Sequence, residues 1–136
     1  MGANTTPIYP LMPKIGWGTL TATTTAMDGT GNVAEVFTAG INGARIDQIK
    51  IRALGTNVAT AVRLYLNNGG ERTVPANNSL IYEVTAAATT ASPAAALNDI
   101  VISPPVQFLP PGYKLMASIG TAVEAGIQIT VAGADY

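Results

Sequence analysis

Cysteine and histidine are both absent from the 136 residues. Without cysteine there is no disulfide, no thiolate metal site and no thiol nucleophile. Without histidine the chain lacks the commonest general base, the commonest transition-metal ligand and the residue that activates serine in a catalytic triad. Charge is scarce too. Asp, Glu, Lys and Arg make up 11% of the sequence, against about 25% in an average soluble domain. The formal net charge of −1 supplies neither a basic field for nucleic acid nor a polybasic patch for a membrane surface. No run approaches the roughly 18 apolar residues that a spanning helix needs. No segment combines a basic start, an apolar stretch and a small-residue cleavage site. The sequence alone therefore predicts synthesis in a cytoplasm without a cleaved leader.

What is present is apolar and strand-like. The hydrophobic fraction is 48%, enough for a core and incompatible with disorder. The length suits one domain. Residues 1–14, MGANTTPIYPLMPK, carry proline at every third position from Pro7 to Pro13. Proline fixes φ and extends the residue before it. This reads as an extended N-terminal arm leading into a single domain over residues 15–136. The arm carries Ile8, Tyr9, Leu11 and Met12, which are the candidate interface residues. They pack either on their own domain or on a neighbouring subunit.

Alternation after the arm predicts strands at 17–25, 33–38, 45–54, 58–66, 80–84, 100–102, 106–109, 113–119 and 127–131, separated by Gly, Asn and Pro turns. The odd spacing of Ile46 and Ile49 predicts a bulge near Asp47 and Gln48. The Ala- and Thr-rich stretch 85–97 is interrupted by Ser92 and Pro93, so it reads as a loop or at most one helical turn. Many short strands at regular spacing predict an all-β antiparallel sandwich. The proline pairs favour broad connections of the jelly-roll kind.

The chemistry available is thin. Glu35 and Glu83 lie mid-strand and are the one pair that could serve acid–base work across a sheet, as in a glycosidase. Solvated strand-face charges are the simpler reading. Asp28-Gly29-Thr30-Gly31-Asn32 superficially resembles a calcium loop but lacks its further carboxylates, so a turn is expected. Lys50, Arg52 and Arg63 could form a basic strip, although cross-strand pairing with Glu35 or Glu83 accounts for them better. No catalytic, cofactor or metal residue is expected.

Three C-terminal pieces carry a resemblance: Leu109-Pro110-Pro111-Gly112-Tyr113-Lys114-Leu115, Ala117-Ser118-Ile119-Gly120-Thr121-Ala122, and Ile129-Thr130-Val131-Ala132-Gly133-Ala134-Asp135-Tyr136. They resemble the endings of bacteriophage capsid decoration (cement) proteins. The middle segments Ala44-Arg45-Ile46, Ile49-Lys50-Ile51 and Val62-Arg63-Leu64-Tyr65 are compatible with it. The resemblance implies a β-sandwich knob, homotrimeric, bound to the major capsid protein on the virion exterior, with no enzymatic activity and no nucleic-acid or membrane partner. A tail or fibre receptor-binding head and a carbohydrate-binding module are the alternative readings. The latter predicts a groove holding Trp17 or two tyrosines beside two carboxylates.

Overall fold

The computed structural model describes residues 9–136. Its strands are β1 (Met12–Leu20), β2 (Ala34–Thr38), β3 (Ala44–Ala53), β4 (Thr60–Asn67), β5 (Asn78–Ala86), β6 (Ile100–Ile102), β7 (Phe108–Leu109), β8 (Lys114–Ile119) and β9 (Ile127–Asp135), with one short 3-10 turn at Pro75–Asn77. They form two antiparallel sheets. Sheet A runs β1-β9-β3-β6, with β7 also on β3, and sheet B runs β2-β8-β4-β5.

β6 and β7 pair with successive parts of the same edge of β3. Counted as one interrupted strand, they give a jelly-roll order of eight strands, the double-sheet solution to the edge problem. Only β4 and β5 are both consecutive in sequence and paired. Every other pairing is long-range. β8 and β9, read from sequence as neighbours across a short turn, lie in different sheets. β9 is internal to sheet A, held by β1 on one side and β3 on the other.

The core is the space between the sheets. Ile46, Ile49, Ile51, Ile127, Ile129 and Val131 from sheet A meet Val62, Leu64, Leu115, Ala117 and Ile119 from sheet B. Both Ile46 and Ile49 are fully buried although they are three residues apart. The bulge expected there makes this geometrically feasible: the β3–β9 register shifts between Ile46 and Gln48, so an extra residue turns the strand back onto its inward parity. Gly133 lies opposite the bulge, and a Cβ there would fall 2.0 Å from the Arg45 carbonyl oxygen. Thr85 to Leu97 forms no helix, as its Thr and Pro content predicts; Thr89 makes an isolated bridge to Asn57.

The start of the domain differs from expectation. The first strand begins at Met12 and ends at Leu20, so residues 12–14 of the expected arm belong to sheet A. Pro13 is tolerated because β1 is an edge strand, where a missing N–H breaks no ladder. Residues 21–25, read as strand from their threonines, instead begin a long crossing over sheet B.

Candidate functional site

No acid–base centre is assembled from the candidate carboxylates. Glu35 sits on β2 and Glu83 on β5, the opposite edges of sheet B. Three strand spacings separate them, roughly 14 Å, beyond the span of a glycosidase pair. Each faces a cation: Lys114 Nζ is 3.3 Å from Glu35, and Arg63 Nε is 3.5 Å from Glu83. The basic strip does not form either. Lys50 and Arg52 are on β3 in sheet A, whereas Arg63 is on β4 in sheet B. Arg52 is paired with Asp99 at 2.6 Å. Arg63 is the cation that pairs across strands with Glu83, while the partner of Glu35 is Lys114, a residue the sequence reading did not connect to it.

The Asp28–Asn32 segment is a turn closed by its own side chains. Thr30 donates its hydroxyl to Asp28 Oδ1 at 2.5 Å and its backbone N–H to the same oxygen at 3.1 Å. These bonds, the hydroxyl's first, hold the Asp28 carboxyl below its ordinary range. Among the described residues no three metal-ligating side chains gather. A cleft of about 460 Å³ opens between β3 and β5 beneath the 85–97 loop. Ile51, Ala53, Ala86, Leu97 and Ile100 line it, and none of its lining residues titrates near neutrality.

The informative surfaces are the outer faces of the two sheets. On sheet B, Tyr65, Met116 and Ser118 point away from the core, yet all three are fully buried. The chain between β1 and β2 covers them. Thr24 N–H donates to the Ile119 carbonyl at 2.9 Å. Arg63 donates to the Thr24 carbonyl at 3.3 Å, and Tyr65 hydroxyl to that of Ala26, also at 3.3 Å. Asn78 and Arg72 hold the far end of the crossing by donating to the carbonyls of Asp28 and Gly31. Tyr65 thus shares the outward side of β4 with Arg63, but under a cover that the sequence does not announce.

Among the described residues nothing covers sheet A in this way. Strand β1 is built inside out. Its inward positions include Gly16 and Gly18, while its outward positions carry Ile15 and Trp17, exposed by 61% and 63%. The reason lies in β2. A Cβ on Gly16 would meet the Val36 carbonyl oxygen at 2.0 Å, and one on Gly18 would touch Ala34 and Val36 at 3.0 and 3.1 Å. Glycine allows β1 to lie directly on the neighbouring sheet and close the corner of the sandwich. Leu20 is buried at the strand's end. Lys14 points inward too, donating to Asp135 at 3.1 Å and to the Thr38 carbonyl, with its ammonium 5.5 Å from the Phe37 ring centre. An inward charge on an edge strand guards against edge-to-edge pairing.

The candidate interface residues of the arm fall partly on this face. Leu11 N–H donates to the Asp135 carbonyl, continuing the β1–β9 ladder by one residue. Leu11 is 78% exposed and Tyr9 and Met12 are each 67% exposed. Ile8 lies outside the described residues. Trp17 and Ile15, which sequence reading did not propose as contact residues, extend the same apolar row along β1. The alternation alone points the other way, since bulky apolar residues of a strand ordinarily face the core; only the close approach of β2 reverses it. Val101 and Phe108, both exposed, stand at the opposite edge of sheet A. Trp17 has no carboxylate in its cross-strand row, which continues through Thr130 to Lys50. The groove with two carboxylates expected of a carbohydrate module is not formed around it.

No family model and no curated protein matches the chain. Among solved structures, it is similar to a chain of the cyanophage Pam1 capsid asymmetric unit, at 14% identity and a TM-score of 0.46 over 99% of this chain and 94% of that one. It is also similar to a chain of infectious bursal disease virus strain Gx, at 15% identity and a TM-score of 0.29 over 97% of this chain and 36% of that one. Similarity at this level carries no function to this chain.

Proposed function

We propose that the protein is a non-enzymatic structural component of a virion, a β-sandwich that decorates a phage capsid and stabilises it by binding at subunit junctions. The observation supporting this is the outer face of sheet A, uncovered among the described residues, with Leu11, Ile15 and Trp17 along β1 and exposed Tyr9 and Met12 at its start. A strand that spends its inward positions on glycine and its outward positions on Leu, Ile and Trp leaves apolar area in water unless a partner covers it. The sequence resemblance to decoration proteins points the same way. In this reading the apolar row docks on the shell or on neighbouring copies, so local opening of the lattice must break several contacts at once. The low charge fits surfaces that end up buried, since permanent interfaces are more apolar than free surface.

The test is cosedimentation of the purified protein with capsid shells of its own virus assembled without it. Binding that is lost on removing residues 1–10 together with Leu11→Ser and Met12→Ser, in a protein that keeps its thermal transition, supports the reading. Undiminished binding by that variant removes the arm from the contact. Absence of binding by the intact protein removes the capsid reading, and binding to whole host cells instead would favour a receptor-binding head.

A further inference from the structure

The outer face of sheet A carries a cross-strand row whose order is informative: Trp17 on β1, Thr130 on β9, Lys50 on β3. The row runs from an exposed aromatic face through a small side chain to a cation. Lys50 has no ion pair among the described residues, unlike Arg45 and Arg52 beside it on the same strand. Such a row is complementary to itself. A two-fold axis through Thr130 sets Thr130 against Thr130, Trp17 over the partner's lysine, and Lys50 over the partner's tryptophan. A two-fold contact uses one patch twice in this reciprocal way, and indole is the best ring for a cation–π contact.

The neighbouring rows agree. Ile15 is followed by Ala132 and Gln48, and Pro13 by Ala134 and Arg45. The β1 side is thus a ridge, and β9 beside it a shallow valley of Ala132, Ala134 and Thr130. Under the same two-fold axis Ile15 comes over the partner's Gln48 and Pro13 over the partner's Arg45, while the small residues of β9 lie against each other and let the two faces approach. Three strands of about nine residues at about 3.3 Å each, spaced about 4.8 Å apart and flanked by the short β6 and β7, give a face on the order of 500 Å². That approaches the roughly 600 Å² per partner at the lower end of specific interfaces.

We infer that sheet A is the self-association surface of the protein, and that two copies pack face to face through the Trp17–Thr130–Lys50 row. Sheets stacked in this way lie about 10 Å apart, within reach of the long Trp and Lys side chains. The inference rests on the sheet and not on the capsid reading, and its two-fold order differs from the trimer implied by the sequence resemblance.

Sedimentation of the full-length protein at concentrations up to about 100 µM should give a reversible dimer. Trp17→Ala should weaken it about 100-fold and Lys50→Ala about 10-fold, while Val58→Ser, an exposed apolar residue outside sheet A, should leave it unchanged. Because the chain has no cysteine, Thr130→Cys introduces a single thiol. A short bis-maleimide should join two copies at that thiol, and should join Thr85→Cys on sheet B only at background level. A monomer throughout the range, a trimer by mass, association indifferent to Trp17 and Lys50, or equal cross-linking at both thiols would each overturn the inference. A dimer that ignores capsid shells would overturn only the capsid reading, and a monomer that binds them only the dimer.

Discussion

The outer faces of the two sheets start from similar material and end differently. On sheet B, Tyr65, Met116 and Ser118 are roofed by the protein's own chain, and the roof is nailed down by backbone and side-chain hydrogen bonds at both ends. On sheet A, Trp17, Ile15 and Leu11 have no roof among the described residues. The same physical demand, apolar area to be withdrawn from water, is met internally on one side and left open on the other. The bare face is the one proposed above for association.

The comparison can be broken from the covered side first. Tyr65→Ala should cost about 3–5 kcal/mol of unfolding free energy, the range for deleting a buried aromatic ring, and chemical denaturation should show it as a lower midpoint. Hydrogen exchange should rise across residues 21–33 as the roof loses its anchor. Gly16→Val comes next. Its side chain has no room against the Val36 carbonyl, and forcing the corner apart should cost about 1–3 kcal/mol by the same assay. Tyr65→Phe keeps the ring and loses only the hydroxyl's bonds to Ala26 and Ser118, so about 1 kcal/mol is expected.

The bare side should respond in the opposite way. Trp17→Ser should change the stability of the dilute monomer by no more than about 0.5 kcal/mol while removing association. A tryptophan that mattered to the fold itself would fail this test in its melting curve. The smallest effect belongs to the turn at the edge of the roof. The Asp28 carboxyl is held below its ordinary range by Thr30, so its contribution is complete above that range and fades as pH falls through the lowered value. The Thr30 amide resonance should report that titration below the ordinary carboxylate midpoint; a midpoint at or above it would remove the hydrogen bond as the cause.

Much of the fold was legible because strand alternation and turn chemistry are local. The β3 bulge could be read from Ile46 and Ile49 alone. Pairing was not legible, because all neighbours but β4 and β5 are distant in sequence. That is why Glu35 and Glu83 were candidates for a shared site, and why Arg63 was grouped with Lys50 and Arg52. The roof over Tyr65 escaped notice because residues 21–33 lack the apolar pattern that marks a buried segment; they cover by backbone and Thr contacts. The apolar row was seen only at its arm end, since three prolines drew Met12, Pro13 and Lys14 out of the strand they belong to.

Trp17 is the single tryptophan of the chain, so its fluorescence reports directly on whether the bare face is covered. In a dilution series of the intact protein, the emission maximum should move to longer wavelength as the assembly separates, with a midpoint matching the dissociation constant from sedimentation. Emission typical of a water-exposed indole at every concentration, unchanged on addition of capsid shells, would contradict the claim that sheet A is an interface.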